Sequence, residues 1–480
     1  MAGLRRDLGL LAAASVVVGS MIGVGIFLGP RGVAQQLPTP GLMLLAWGLG
    51  GAFVLCGAMT YAEMGTLFPR SGGSYNFIKA AYGPLPAFLN GWSGVAIGKA
   101  ANVSALAVGF GAVASVLLRA AFHVELSGLG QVVAAIALVL TLAVVNVLGV
   151  RHGGRLSVVA TFVKLAALVT LILAGLVVLA PRVGGLTQQP FATPGQGGFD
   201  ILSAFGLALI PIFFAYDGWE NSTQVAEEVR DPQRNVPRSL ILGTLAVLVV
   251  YVLANLVYLL AVGPARIGAS TTAAADTADA VFGSGAGIVI SVAILVSIVG
   301  TVNNIILTGP RIAFAMGRDG LFPRALSRVN RFGTPGRAIA LQTAISLALV
   351  LLPPVGGRPL FDTLLTYIIV DSFIFYALTT SAVFVLRRRF PDAPRAFRVP
   401  GYPWVPLAFV VGAGAFILNA FVRTPQESLV GVLIVLAALP LYFWLRHKGK
   451  PRALREVTLR AVEPAAPGPD LAQIRDEPRG

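Results

Sequence analysis

The sequence predicts an all-α polytopic membrane protein with about twelve transmembrane helices. Hydrophobic residues make up 56% of the 480 residues and charged residues only 12%, whereas a soluble domain keeps about a quarter of its residues charged. The mean hydropathy is +0.80. The apolar runs are long, and short segments rich in turn-forming and charged residues separate them. A dozen spans of about 20 residues use about half of the chain, which leaves room for short loops and a tail.

The hydrophobic runs place the spans along the chain. Turn formers and charges mark the breaks between them, as in Pro69–Gly73 and Arg151–Arg155. In chain order, the predicted spans are residues 8–29, 41–67, 84–118, 130–149, 156–180, 201–226, 239–262, 284–310, 338–353, 361–386, 403–422 and 428–445.

Lysine and arginine alternate in abundance from one loop to the next. With the N-terminus inside, 28 of the 36 fall in cytoplasmic segments and only six on the opposite side, while Lys99 and Lys164 lie within spans. This asymmetry follows the positive-inside rule and predicts cytoplasmic N- and C-termini in a bacterial inner membrane. The net charge of +15 therefore reflects orientation and contact with anionic lipid, and nucleic acid is not expected as a partner. Residues 446–480 are polar and predict a disordered cytoplasmic tail.

Few residues of the chain suit catalysis or metal binding. Three histidines and the single Cys56 show no metal-ligand spacing, so we expect no metal and no cofactor. The chain lacks a nucleotide-binding loop of the Gly-Lys-Ser/Thr type, which argues against an ATP-driven pump within this polypeptide. We therefore do not expect an enzyme.

Two spans carry residues that interrupt a membrane helix. Span 1 contains Gly19–Phe27, with glycines near the middle of the membrane. Span 6 contains Pro211 and then Phe214–Glu220, which includes Asp217, Gly218 and Glu220. Backbone that leaves helical geometry at membrane depth is tolerated only where it is buried in protein or lines a cavity. The two segments therefore predict a site inside the membrane.

Broken helices leave free N–H groups at the start of one half and free C=O groups at the end of the other. A zwitterion needs both kinds of group. We expect a carboxylate near Gly23, Val24 and Gly25, and an ammonium near the carbonyls of Met21 and Phe214.

Spans 1 and 6 lie five apart, which is the spacing of two five-helix repeats with inverted topology. Glycine packing in span 1 and a buried ion pair in span 6 are alternative explanations. The matching positions of the two segments make packing alone the weaker account.

Most of the polar side chains within or near the spans have more than one interpretation from sequence alone. A lysine within a membrane span is energetically costly. Lys164 and Lys99 therefore either have a functional or pairing role, or extend their long side chains so that the ammonium reaches the membrane interface. Glu63 either pairs with an arginine at the inner surface or takes part in proton coupling. Asp217 and Glu220 either contact a cationic substrate, titrate during proton coupling, or pair structurally with Lys99 or a helix end. Asn303 and Asn304 either line a polar cavity or join helices by hydrogen bonds. Glu227 and Glu228 are expected to form an inner-face charge cluster with Arg230 and Arg234.

The chain resembles amino acid permeases of the amino acid–polyamine–organocation superfamily, of the sodium-independent L-type or cationic-like bacterial branch. The most specific segment is Glu227–Arg238, with the sequence Glu-Glu-Val-Arg-Asp-Pro-Gln-Arg-Asn-Val-Pro-Arg. The other resembling segments are Gly19–Phe27, Tyr61–Glu63, Phe68–Tyr75, Phe213–Glu220 and Arg318–Pro323.

The resemblance implies the leucine-transporter-like fold, with a transport core of spans 1–10 in residues 1–386 and two extra spans in residues 387–445. It also implies alternating access, an aromatic gate at Phe214, and substrate contacts of Met21, Gly23, Val24, Gly25 and Asp217. Val24 stands where family members often have serine, so a hydroxyl contact is not implied. Lys164 resembles the fixed cation that stands in the place of sodium in sodium-independent branches.

The predicted function is secondary transport of L-amino acids without sodium, either by exchange or by coupling to protons. A carrier of cationic amino acids or polyamines is the alternative within this class. An integral-membrane enzyme or a channel is the alternative outside it. The expected partners are the amino acid and the lipid bilayer, and no partner subunit is evident from the sequence.

Overall fold

The computed structural model describes residues 8–182, 184, 198–270, 272–351, 360–423 and 425–448. Within these residues, nine helices are long and apolar enough to cross a membrane, and two shorter apolar helices cover Asp200–Tyr216 and Gly336–Val350. The predicted all-α polytopic class is confirmed. The predicted tail, residues 446–480, lies almost entirely outside the described residues.

The helices follow the predicted spans in order. Their bounds, numbered by span, are Leu10–Met21 and Gly25–Gln36 (span 1), Pro40–Leu67 (2), Pro84–Ser93 and Ala100–Phe122 (3), Gly128–Val147 (4), Val150–Leu179 (5), Gly198–Tyr216 and Asn221–Gln224 (6), Pro232–Ala261 (7), Ala286–Thr308 continuing as Pro310–Asp319 (8), Gly336–Val350 (9), Leu360–Arg389 (10), Trp404–Arg423 (11), and Pro425–Leu436 and Leu439–Lys448 (12). Further helices cover Ser74–Tyr82, Gly263–Ala269 and Ala273–Phe282, and a π-helical turn, Gly94–Gly98, joins the two parts of span 3.

Spans 1 and 6 are interrupted, as the sequence predicts. Span 1 leaves helical geometry between Met21 and Gly25. Span 6 passes through Pro211 without ending and stops at Tyr216, five residues later. The interruption therefore consists of residues Asp217 to Glu220. Within it, Gly218 has a φ of +94°, a backbone conformation that residues other than glycine rarely adopt.

Span 1 lies at the centre of the bundle. In its most apolar window 72% of the residues are buried, against 28% in spans 4 and 11, whose outer faces carry exposed apolar side chains suited to lipid. Contacts join span 1 to span 6, span 2 to span 7, span 3 to span 8 and span 4 to span 9. Each of these pairs is separated by five spans, the separation that equivalent helices have in two five-helix repeats.

Candidate functional site

A small cavity lies where the two interruptions meet. Its volume is about 20 Å³, enough for about one water molecule, so a larger occupant requires the surrounding helices to separate. The residues that line it come from spans 1, 3, 6 and 8, and are Ser20, Met21, Gly23, Val24, Gly25, Lys99, Asn102, Leu106, Phe214, Asp217, Gly218, Asn221, Thr301 and Ile305.

Two glycines allow the interrupted segments to touch. A Cβ atom on Gly25 would lie 2.5 Å from the Cα atom of Ala215, and one on Gly218 would lie 2.8 Å from the Cβ atom of Ser20. Because real Cβ atoms essentially never approach so closely, each position requires glycine for the observed packing. The backbone of both spans therefore reaches the cavity wall directly.

The second half of span 1, Gly25–Gln36, presents unpaired backbone donors. The N–H groups of Val24, Gly25 and Ile26 have no backbone acceptor within the described chain, as expected at the start of a helix. These donors lie beside the cavity that Val24 and Gly25 line. The N-terminus of a helix is a favourable place for a carboxylate, because the N–H groups and the helix dipole both attract negative charge.

The carbonyl groups at the end of the first half of span 1, Leu10–Met21, are held by side chains from other spans. The ammonium of fully buried Lys164 donates to the carbonyl oxygen of Gly19 at 2.6 Å and also to that of Ile22. The Tyr251 hydroxyl donates to the carbonyl oxygen of Met21 at 2.6 Å. Lys164 therefore lies behind span 1 rather than in the cavity, and the Met21 carbonyl already has a donor.

Asp217 is held by donors from two other spans. The Asn102 side-chain amide donates to one carboxylate oxygen at 3.1 Å, and the Tyr376 hydroxyl donates to the other at 2.7 Å. The carboxylate therefore connects the interruption of span 6 to spans 3 and 10.

Lys99 and Glu220 form a buried ion pair next to the cavity. The ammonium lies 3.0 Å from a Glu220 oxygen and 2.9 Å from the side-chain oxygen of Asn221. Of the two readings of Lys99, the structure shows pairing, and the reading of Glu220 as a structural partner of Lys99 fits this geometry.

The cavity brings together most of the predicted substrate-binding residues. Met21, Gly23, Val24, Gly25, Phe214, Asp217 and Gly218 all line it. Asn304 does not line it. This side chain is fully buried, and neither of its polar atoms has a hydrogen-bond partner among the described residues. Its neighbour Asn303 joins helices, since it donates to the Gly153 carbonyl and the Ser157 hydroxyl at 2.8 Å each.

Glu63 lies away from the cavity in a charged cluster with residues from the last turn of span 10 and the loop after it. Its carboxylate accepts two hydrogen bonds from Arg387 at 2.8 and 2.6 Å, lies 3.3 Å from the Arg395 guanidinium, and accepts the N–H of Val399 at 2.7 Å. Glu63 is completely buried. This geometry fits the reading of Glu63 as the partner of an arginine.

The acidic pair after span 6 forms ion pairs with arginines of span 8. Glu228 pairs with Arg311 at 3.1 Å in a buried contact, and Glu227 pairs with Arg318 at 3.3 Å in a more exposed one. Span 8 therefore brings its own arginines against this loop, and the expected cluster with Arg230 and Arg234 stays a prediction.

Sequence reasoning missed several residues of the site. Asn102 and Thr301 line the cavity, and Tyr251 and Tyr376 donate to the interrupted segments. Polar residues in apolar spans were the available signal, since a buried hydroxyl or amide needs a hydrogen-bond partner. Their positions around the helix axes came only from the packing.

Comparison with known proteins agrees with this architecture. The sequence model of the family described as amino acid permease matches residues 8–445. The chain belongs to the amino acid permease family. It is an amino acid transporter and not an enzyme, so the family resemblance and the predicted class of function are confirmed.

The chain is similar over nearly its whole length to three characterised transporters. It is 34% identical to the serine/threonine exchanger SteT of Bacillus subtilis (strain 168), over 93% of this chain and 98% of that protein. It is 32% identical to the large neutral amino acids transporter small subunit 2 of Homo sapiens, over 93% of this chain and 82% of that protein. It is 28% identical to the b(0,+)-type amino acid transporter 1 of Mus musculus, over 97% of this chain and 95% of that protein.

Proposed function

We propose that this permease exchanges small neutral L-amino acids across the bacterial inner membrane without sodium. The observation that carries this proposal is the cavity between the two interrupted spans, with unpaired N–H groups on one side and carboxylates that already have partners on the other. The similarity to a serine/threonine exchanger over 98% of its length supports the same substrate class and mode.

In this proposal the backbone recognises the part common to all amino acids. The substrate carboxylate accepts hydrogen bonds from the N–H groups of Val24, Gly25 and Ile26. The ammonium lies toward the carbonyl of Phe214 and the residues of the span 6 turn, because Tyr251 already donates to the Met21 carbonyl. Phe214 lines the same cavity and acts as the aromatic gate over the bound substrate.

The charges around the cavity favour a neutral substrate. Asp217 accepts hydrogen bonds from Asn102 and Tyr376, and Glu220 pairs with Lys99. A cationic side chain would have to compete with these donors and would approach the Lys99 ammonium. Because like charges repel strongly where water is scarce, a cationic amino acid or a polyamine is the weaker substrate class.

Lys164 supports sodium independence. Its ammonium occupies the space between the carbonyls of Gly19 and Ile22 and the hydroxyl of Thr301, which lies 3.3 Å away. Oxygen atoms of this kind are the ligands that a hard metal cation would use. A fixed ammonium at this position provides permanently the positive charge that a sodium ion would bring.

Glu220 and Glu63 have a gating role in this proposal. Their ion pairs with Lys99 and Arg387 hold the inner side of the transporter closed.

The arrangement in the membrane completes the proposal. We place both termini in the cytoplasm on the basis of the lysine and arginine distribution. Residues 1–386 form the transport core and residues 387–445 add spans 11 and 12. We propose that the chain works without a partner subunit, although the name of the large neutral amino acids transporter small subunit 2 makes that protein one subunit of an assembly.

Counterflow in liposomes tests the function. Purified protein is reconstituted into sodium-free liposomes that contain unlabelled L-serine, and radiolabelled L-serine is added outside. We expect labelled serine to accumulate only when the interior contains a substrate, with L-threonine effective and L-lysine and putrescine ineffective in its place. Accumulation into empty liposomes, a requirement for sodium, or a preference for lysine would contradict the proposal.

A further inference from the structure

A second cavity adjoins the substrate cavity, between spans 3, 6 and 10. Its volume is about 40 Å³, room for about two or three water molecules. Lys99 and Asp217 line both cavities, so the two share a wall. The further polar residues around the second cavity include Ser93, Glu220, Gln224, Asp371 and Tyr376.

Asp371 is the unusual residue in this cavity. It lies in the apolar part of span 10 and is only 3% exposed. The Ser93 hydroxyl donates to its Oδ2 atom in a short contact, whereas its Oδ1 atom has no hydrogen-bond partner in the described part of the chain. Since a buried carboxylate without a counter-charge is strongly unfavourable, this group needs a cation or a proton.

The Lys99 ammonium, which also lines the cavity, is already engaged elsewhere. It donates to Glu220 and Asn221, and among the described residues it makes no ion pair with Asp371. Even so, the Oε2 atom of Glu220 has no partner, and the same is true of the Oε1 atom of Gln224. Three buried acceptor oxygens around one cavity therefore lack donors.

The other titratable groups that face the cavity add no positive charge. Asp217 is a further carboxylate, and the Tyr376 hydroxyl donates to it. Tyr376 also follows Asp371 by five residues on span 10. A change of charge at Asp371 would therefore act on span 10, whose Tyr376 hydroxyl holds the Asp217 carboxylate in the wall of the substrate cavity.

Within the described ranges, the elements packed against span 10 supply no counter-charge either. Span 2 brings Glu63, which pairs with Arg387 and Arg395. The helix Ser74–Tyr82 brings Lys79, which pairs with Asp319 at 2.6 Å. In the described parts of spans 6, 11 and 12 that contact span 10, no ion pair to Asp371 is formed.

We propose that the second cavity is a proton-binding site, with the proton on Asp371, and that closure of the transporter around its substrate requires this proton. The protonated carboxyl fits the closed arrangement because it is neutral and because its O–H group can donate a hydrogen bond in a cavity where acceptor oxygens lack donors. Opening of the cavity to water allows the proton to leave. This inference rests on the proposed exchange function and adds a pH requirement to it.

The test is the pH dependence of serine exchange in sodium-free liposomes with equal pH on both sides, between pH 5.5 and 8.5. For the wild type we expect a constant rate at low pH and, above the titration midpoint, a fall that approaches tenfold per pH unit. Asp371→Asn keeps the size and neutrality of the protonated group, so its rate should not change with pH. Asp371→Glu restores a titratable carboxyl and should restore the pH dependence.

A matched control separates this site from other carboxylates. Asp279 accepts the N–H groups of Gly285 and Gly287 outside both cavities, and Asp279→Asn should keep the wild-type pH profile. If Asp371→Asn does not yield a monodisperse protein, Asp371→Ser provides a second neutral variant.

Two results would overturn the proton site: a pH profile of the neutral variant equal to that of the wild type, or a folded neutral variant without exchange at any pH. A wild type that exchanges serine at a rate independent of pH would overturn it as well. By contrast, absence of wild-type exchange at every pH would count against the proposed function itself.

Discussion

Spans 1 and 6 are interrupted at corresponding positions of the two halves, but different groups stabilise the two interruptions. The carbonyls of span 1 are held from outside by Lys164, Tyr251 and the hydroxyls of span 8. The turn of span 6 carries its own charged side chains, and Asp217 and Glu220 find donors on spans 3 and 10.

This difference predicts that the two interruptions tolerate substitution unequally. A single ammonium contacts two carbonyls of span 1, so one substitution removes several hydrogen bonds at once. In span 6 several separate side chains donate to Asp217 and Glu220, so the loss of one donor leaves the others in place. Substitutions in each span test this difference.

Lys164→Ala should have the largest effect. It removes the charged donor of two buried carbonyls and leaves them only the hydroxyls of span 8, and a hydrogen bond to a charged group contributes about 1.5–3 kcal/mol. We expect the serine exchange rate to fall by at least about a hundredfold while the protein still inserts and purifies.

Lys164→Met preserves much of the apolar stem and should be equally inactive, which distinguishes charge from packing. Lys79→Ala removes an ion pair outside both cavities and is the control, which should keep the wild-type exchange rate. Normal exchange by Lys164→Ala would remove the role assigned to this residue.

Gly25→Ala should have an intermediate effect because it separates the two spans where they touch. The added Cβ atom would lie 2.5 Å from the backbone of Ala215, and overpacking of this kind costs about 1–3 kcal/mol. We expect a fall in exchange rate of about tenfold and a lower melting temperature, measured with purified protein.

Gly48→Ala in span 2 is the control for this substitution, since no atom lies within 4 Å of its added Cβ. Equal behaviour of the two alanine variants would show that the contact of spans 1 and 6 at Gly25 is not required.

Tyr376→Phe should have the smallest effect of the three. It removes one of the donors to Asp217, and the Asn102 amide remains. A single hydrogen bond contributes about 1 kcal/mol, so the KM for L-serine should rise about fivefold with little change in maximal rate.

Tyr82→Phe, which removes a hydroxyl contact to Ser381 away from the cavity, is the matched control and should keep the wild-type KM. A hundredfold loss of serine exchange in Tyr376→Phe would contradict the view that several donors together stabilise the turn of span 6.

Much of the fold was predictable because its signals are local. Long apolar runs, the glycines of span 1 and the polar run after Pro211 indicated the spans and both interruptions. Pro211 itself was a less accurate marker, since the helix continues to Tyr216. A proline removes only one donor, whereas Gly218 adopts a backbone conformation that ends the helix.

The site was only partly predictable because it depends on helix rotation. Seven of the expected substrate-binding residues line one cavity, since they follow directly from the interrupted segments. Asn304 was also a polar residue in an apolar span, yet its side chain lies outside the cavity lining. Sequence periodicity does not state which face of span 8 points inward.

The amino-acid sequence by itself determined the membrane class, the order of the spans and the position of the two interruptions, because each depends on the composition and backbone preference of a short segment. Only the tertiary structure decided which partners the charged groups have: Lys164 with the carbonyls of span 1, Lys99 with Glu220, Glu228 with Arg311, and Asp371 with a serine alone. These contacts join residues more than 80 positions apart, and their formation depends on how the helices rotate and pack against one another.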